Sequence, residues 1–330
     1  MKKVSVITTV YNGSETMIES IESILNQDYK NWELILFDDG SEDGTQEIAK
    51  KFAKDFPSKV FYFEHAGNKN FGIAYTRNRA IEKSTGDIIA FIDQDDIWLP
   101  NRLSHHINIF DEYPECAMVW GPAEYWYQDR SFKQQVGADK QGLKNGIYSP
   151  PFFVETFLRN LGGTPCPTGT MVNKKNFYTV NGFEEEIKGP DDIILWIKLS
   201  NKFQVYYDDL VLFKYRKHAN SFLSKSKKSG KFYEWNLVFY KWIIDFLKNT
   251  DLKFKKELIK DSEFSYYINL KKTLNKFGYF KSRKEIINKL NSYPELKKKY
   301  RGDFLLDLIL PFDIATKVSS KIRFDWFKNY

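Results

Sequence analysis

The amino-acid sequence predicts an α/β fold: a mixed, mainly parallel sheet flanked by helices, continued by a helical C-terminal extension. Three observations predict it. Over about the first hundred residues, short β-branched runs alternate with stretches whose apolar residues recur at three and four. A polar cluster follows the end of three of those runs. From about residue 225 the chain turns rich in lysine, with aromatic residues at helical spacing.

The elements follow in order. Val4–Val10 reads as a buried strand, and residues 15–26 as a helix with Met17, Ile21, Ile24 and Leu25 on one face. Residues 33–37 are a second strand ending in the turn DDGSEDGT, 45–52 a second helix and 60–63 a third strand. Residues 74–83 are a third helix, and 87–92 a fourth strand running into FIDQDDIW. Strand, helix and strand at this spacing imply right-handed crossovers and parallel pairing. Ligands of such sheets bind beyond the carboxyl ends of the strands, where the clusters 8–12, 38–45 and 93–96 fall.

The next stretch is less regular. WGPAEYWYQ (120–128) reads as a strand, and residues 128–150, rich in Gly, Gln and Lys, as a mobile loop. TGTMVNKKNFYTVNGF is a strand and a short helix, and GPDDIILWIKLS a buried helix with Pro190 near its first turn. VYYDDLVLFKYRKH returns as strands. Trp235, Val238, Phe239, Trp242, Ile243 and Phe246 mark an amphipathic helix, and FLLDLILPF (304–312) is a short apolar segment broken by Pro311. The organisation expected is a domain over 1–224, halved at about residue 100, and a basic, aromatic-rich extension over 225–330.

Composition narrows the class. At 330 residues and 42% hydrophobic, the chain can bury a full core and is not a disordered polymer. The net charge of +7 is unevenly spread: residues 225–330 hold 25 basic and 12 acidic side chains, the remainder 25 and 31. Two cysteines make neither a disulfide framework nor a metal cluster and fit a reducing compartment. The opening apolar stretch is too short for a signal sequence, and no run approaches the roughly 18 apolar residues of a membrane span. A cytoplasmic chain is expected. No nucleic-acid-binding motif appears.

Several residues could carry chemistry. Asp93 and Asp95 share a face of an extended chain and could hold a hard divalent cation, or they and Asp96 could form a solvated acidic turn. Asp38 or Asp39 could accept hydrogen bonds from a nucleoside, or belong to an ordinary Asp/Gly turn. Asp191 and Asp192 open a helix: either they answer its dipole, or one takes a proton from an attacking hydroxyl. Arg216 and His218 could hold a diphosphate or complete a metal shell, and Arg77 could be a plain helix-surface charge.

Together these motifs resemble the family 2 inverting glycosyltransferases of GT-A fold. The likeness runs from VSVITTVYNGSETMIESIESILNQDYKNWELILFDDGSEDGT through GIAYTRNRAIEKSTGDIIAFIDQDDIWLPNRL and VNGFEEEIKGPDDIILWIKL to YRKHANS, over residues 1–224. It implies a Rossmann-like nucleotide-binding half over 1–100 and an acceptor half over 101–224. Thr9, Tyr11 and Asp39 would contact base and ribose, with Arg77 near the base or diphosphate. Asp93 and Asp95 match the family's Asp-x-Asp, Asp95 being the direct metal ligand, and His218 matches a histidine near metal or diphosphate. The family's Glu-Asp pair falls on Asp191 and Asp192, the second of which is the general base. Asp191 departs from the usual Glu, and Lys198 from a frequent Arg.

The function implied is metal-dependent transfer, with Mn²⁺ or Mg²⁺, of a hexosyl or N-acetylhexosaminyl group from a nucleotide-sugar, UDP-linked by family frequency. The acceptor would be a glycan or lipid-linked glycan in cell-surface polysaccharide synthesis. The alternative is a catalytically inactive sugar-nucleotide-binding partner of a glycan polymerase, against which the intact carboxylate set stands. The basic extension could lie on an anionic membrane at the inner face of the plasma membrane, or pack as a helical cap. Oligomeric state is left open.

Overall fold

The computed structural model describes residues 1–127, 135–136, 143–159, 164–219 and 221–276. The chain divides into two compact units, Met1–Ala219 and Asn220–Tyr330. In the first, the expected alternation folds as β1 (Val4–Val10), α1 (Met17–Leu25), β2 (Trp32–Asp38), α2 (Thr45–Asp55), β3 (Val60–Glu64), α3 (Ile73–Lys83) and β4 (Ile88–Phe91). β1 pairs parallel with β2 and β4, and β2 parallel with β3. β1, β2 and β4 are buried on both faces: Val4, Leu34 and Ile88 on one side and Ile7, Ile35 and Ile89 on the other are at most 2% exposed, while the edge strand β3 is half-buried. α1 buries Met17, Ile21 and Ile24, spaced by four and three.

The chain continues through β5 (Ile97–Trp98), α4 (Arg102–Glu112), β6 (Cys116–Trp120), β7 (Glu124–Tyr127), β8 (Gln135–Val136), β9 (Gly146–Tyr148) and α5 (Phe152–Arg159). A 3-10 turn, Pro167–Gly169, leads to β10 (Thr170–Asn173), α6 (Lys174–Thr179), α7 (Asp191–Lys202), β11 (Gln204–Tyr207) and β12 (Phe213–Lys217). One sheet has eight strands in the order β3-β2-β1-β4-β10-β6-β11-β9, and a second has four, β5-β12-β7-β8. β10 runs antiparallel between β4 and β6, which makes the large sheet mixed. The α7 indole of Trp196 packs edge-on to Phe91 and donates to the Pro165 carbonyl at 3.1 Å. Truncating so large a buried side chain to Ala costs about 3–5 kcal/mol.

Three expectations are corrected. Residues 120–128 are not one strand: β6 and β7 lie in different sheets. The break has a steric cause, since a Cβ on Gly121 would come within 2.7 Å of the Asp208 carbonyl oxygen, and Pro122 has no N–H to continue a ladder. Where a loop was expected over 128–150, the described residues include β8 and β9; residues 128–134 and 137–142 lie outside them. Helices α4 and α5 were not anticipated at all.

The second unit contains α8 (Phe222–Ser229), α9 (Lys231–Lys248) and α10 (Lys255–Lys276). α9 buries Phe239, Ile243 and Leu247, while Val238 of the expected apolar face is 48% exposed. Trp235 stacks on Phe222 with ring centres 5.0 Å apart. No helix among the described residues is long and apolar enough to cross a membrane. The apolar segment 304–312 lies outside the described residues.

Candidate active site

Where β4 ends, three carboxylates part company. Asp96 is buried, accepting from the Arg216 backbone N–H at 2.9 Å and from the Thr168 hydroxyl. Asp93 and Asp95 stay partly open, their side chains 30% and 25% exposed. Asp95 Oδ2 lies 2.9 Å from His218 Nε2. The sheet pairing explains that meeting: β5 follows the acidic turn and runs antiparallel to β12, which His218 follows directly, in the register Trp98 to Phe213 and Ile97 to Lys214. Burial pushes the Asp93 carboxyl above its ordinary range and Asp95 adds to the push, with Arg77 opposing both.

Arg77 is buried, not the surface charge its helix pattern allowed. Its Nη2 donates to Asp93 Oδ1 at 2.8 Å and its Nη1 to Asp191 Oδ2 at 3.3 Å. Burial depresses its pKa, but the carboxylates of Asp93, Asp191 and Asp192 outweigh that and raise it. One guanidinium thereby joins the β4 end to the first turn of α7.

The two residues at that turn differ. Asp191 is buried and paired with Arg77, while Asp192 is half-buried and its Oδ1 accepts from the Ile193 N–H at 2.9 Å. Burial pushes Asp191 up to about 6, against the pull of Arg77. Burial and then the charge of Asp191 push Asp192 up to about 7. A carboxylate near 7 that makes no ion pair among the described residues can take a proton at neutral pH.

Of the residues expected to contact a nucleotide, Thr9 is half-buried in β1, and Tyr11, just past it, is 48% exposed. Asp39 is only 5% exposed. Its Oδ1 accepts from the Phe71 N–H at 2.8 Å and the Thr76 hydroxyl at 2.9 Å, and its Oδ2 from the Gly72 N–H at 3.0 Å. Burial raises its pKa in spite of these bonds. Its carboxylate thus ties the end of β2 to the start of α3, one turn before Arg77.

The donor set suits a hard divalent cation. Asp93, Asp95 and His218 offer carboxylate oxygens and an imidazole at a partly open rim, a chemistry that fits Mn²⁺ or Mg²⁺. Among the described residues it is Asp93, Asp96 and Cys166, not the set with Asp95 and His218, that bring three ligand atoms within 4.8 Å of one another. That second grouping is the poorer one. Asp96 oxygens are taken by Thr168 and Arg216, and burial followed by the charges of Asp96 and Asp93 drives the Cys166 thiol well up, keeping it neutral.

Arg216 is not free to hold a diphosphate. Its Nε donates to the Asp95 carbonyl at 2.7 Å, its Nη2 pairs with Glu19, and its guanidinium stacks 4.0 Å from the Trp126 ring centre. Lys198 holds α7 to the preceding loop, donating to the Gly182 carbonyl at 2.7 Å and to Glu184 at 2.8 Å. Two residues were missed. Thr168 Oγ1 also accepts from the Asp93 N–H at 3.1 Å, and nothing in CPTGT signalled it. Gln94 stood in view inside the acidic motif, but no rule singled it out.

The fold is that of the GT-A glycosyltransferases. The chain belongs to Glycosyl transferase family 2, whose family model matches residues 5–177. It is 32% identical over 228 residues to the putative glycosyltransferase EpsE of Bacillus subtilis (strain 168), covering 68% of this chain and 76% of that protein. It is 30% identical over 233 residues to the putative teichuronic acid biosynthesis glycosyltransferase TuaG of the same organism, covering 69% and 84%. Among solved structures, S. aureus TarS 1–349 in complex with UDP-GlcNAc matches with a TM-score of 0.62 at 18% identity, over 83% of this chain and 81% of that one. The mannosyltransferase PcManGT from Pyrobaculum calidifontis, in complex with GDP-Man and Mn²⁺, matches with a TM-score of 0.57 at 16% identity, over 96% and 86%. At such identities these structures speak for the fold alone.

Proposed function

We propose that this glycosyltransferase moves a sugar from a nucleotide-sugar to a hydroxyl of a glycan or lipid-linked glycan, with inversion, in the synthesis of a cell-surface polysaccharide. The observation that carries the proposal is the Arg77 bridge: it gathers Asp93 and Asp191, and with Asp191 its neighbour Asp192, at one rim. The teichuronic acid role in the name of TuaG supports the acceptor class; a UDP-sugar is taken from family frequency, the two solved neighbours carrying a UDP-sugar and a GDP-sugar. Thr9, Tyr11 and Asp39 are assigned to the nucleoside, with Asp39 acting through the backbone it orders as well as through Oδ2.

Asp192 removes the proton of the acceptor hydroxyl. The freed oxygen attacks the anomeric carbon from the side opposite the diphosphate, the bond to the phosphate oxygen breaks, and its electron pair leaves with the nucleoside diphosphate. Asp191, held by Arg77, keeps a charge beside Asp192 and so sets its basicity. A divalent cation held by Asp93, Asp95 and His218 would offset the charge gathering on the departing diphosphate. Incubating the purified chain with a panel of UDP- and GDP-sugars, with and without Mn²⁺, tests the proposal. Release of a nucleoside diphosphate from one donor is expected, and none from any donor would overturn it.

For the basic extension we infer contact with an anionic membrane surface. Phe222, Leu223 and Val238 are exposed on α8 and α9, among the exposed Lys225, Lys231 and Lys241. Such surfaces draw basic residues and admit apolar side chains.

A further inference from the structure

Gln94 lies between the two carboxylates assigned to the cation, yet its side chain is spent on a different segment. Its Oε1 accepts from the Tyr11 N–H at 2.8 Å, and its Nε2 donates to the Tyr11 carbonyl at 3.0 Å. The pair fixes the amide's orientation, since each atom can fill only one of the two roles. The ladder between β1 and β4 ends at Ile7 and Phe91, with one further bond from the Ile92 N–H to the Ile7 carbonyl at 3.2 Å. Past that point a carboxamide, which carries the donor and acceptor of a peptide group, takes the place of a strand residue.

The segment it grips is held from the other side too. Asn12 N–H donates to Ser41 Oγ at 3.0 Å, Gly13 N–H to Thr45 Oγ1 at 2.8 Å, and the Ser14 hydroxyl to Asp43 Oδ2 at 2.9 Å. The exposed Tyr11 ring therefore stands on a short loop clamped between the turn after β2 and the acidic turn after β4. Gly13 leaves room for the clamp. A Cβ there would lie 2.3 Å from Gln94 Oε1 and 2.8 Å from Nε2, and the backbone is not in the left-handed region, so the requirement is space and not conformation.

We propose that Gln94 is a positioning residue that couples the nucleoside-binding end of β1 to the cation-binding turn, so that filling one site favours filling the other. The proposal rests on the assignment of those two sites made above. Binding that orders one end of a shared clamp lowers the cost of ordering the other, and the resulting coupling is reciprocal.

Calorimetric titration of the full chain with UDP, and with GDP as the alternate base, in the presence and absence of Mn²⁺ tests it. The wild type is expected to bind one nucleotide more tightly with Mn²⁺. Gln94→Ala should lose about fivefold or more of that enhancement, over and above any change in metal-free affinity, while the melting temperature holds. Gly13→Ala should do the same by displacing the amide, and should add nothing in the Gln94→Ala background. Full enhancement in Gln94→Ala, additive losses in the double variant, or a fall in melting temperature would each overturn the coupling alone. A wild type with no Mn²⁺-enhanced nucleotide binding would overturn the site assignment, and the coupling with it.

Discussion

Arg77 Nη1 and Asp191 Oδ2 meet at 3.3 Å in a buried ion pair between residues 114 positions apart. Removing one member of such a pair costs more than the pair itself contributes, because the remaining charge is left without a partner. Arg77→Met should lower stability by about 3–5 kcal/mol near neutral pH. The loss should shrink toward pH 5, where Asp191, already raised to about 6, takes up a proton and needs no partner. Thermal melts at pH 8 and pH 5 check both the size and the sign.

Asp192→Asn keeps the shape of the first turn of α7 and removes the proposed base. Turnover should fall about 10²–10⁴-fold, while titration with nucleoside diphosphate and Mn²⁺ shows binding unchanged. Full turnover in this variant would remove Asp192 from the chemistry.

Turnover should also fall with acid through about pH 7, as Asp192 protonates. Because the charge of Asp191 helps to raise that value, Asp191→Asn should move the acid limb of kcat/KM to lower pH. The stability effect has the opposite sense. A carboxyl whose pKa is higher folded than unfolded makes the native state bind more protons, so its contribution falls as pH rises from about 4 to 7. Asp192→Asn should accordingly melt higher than the wild type at pH 8, by a margin that narrows toward pH 5.

Asp95→Ala should abolish the Mn²⁺-dependent part of nucleotide binding, since it removes a carboxylate at the open rim and leaves His218 without its 2.9 Å partner. His218→Ala should weaken it less. Equal Mn²⁺ dependence in wild type and Asp95→Ala would place the cation elsewhere.

Flotation of the full chain with vesicles of anionic lipid should carry it upward, and neutral vesicles should not. Reversing Lys225, Lys231 and Lys241 to Glu should release it, each lysine near the surface contributing about 1 kcal/mol. Indifference to lipid charge would favour a helical extension whose lysines are merely solvated.

The first half of the large sheet was legible because both its faces are covered: β1 is written VSVITTV, β-branched at six of seven positions, with Ser5 and Thr8 buried among the apolar residues. α4 was not, since RLSHHINIFDE spends polar residues inside. Arg102 and His106 are both buried, Arg102 donating to the Thr168 carbonyl at 2.8 Å and His106 meeting Asp208 at 3.2 Å. Period alone cannot see a polar core. The acidic motifs were legible as clustered carboxylates, but which of them turn inward was not. That Asp96 turns inward and Asp95 outward depends on Thr168 and Arg216, which arrive from 72 and 120 positions away.

The pairing of β5 with β12 brings together atoms that 122 intervening residues separate, Asp95 and His218. In an unfolded chain the two would rarely be neighbours, so an ion bridging them selects the native state. At a hundred times its dissociation constant it would raise unfolding free energy by about 2.7 kcal/mol. Manganese added to a melting experiment would then report, through the temperature at which Met1–Ala219 comes apart, whether the last strand of that unit has closed onto the acidic turn.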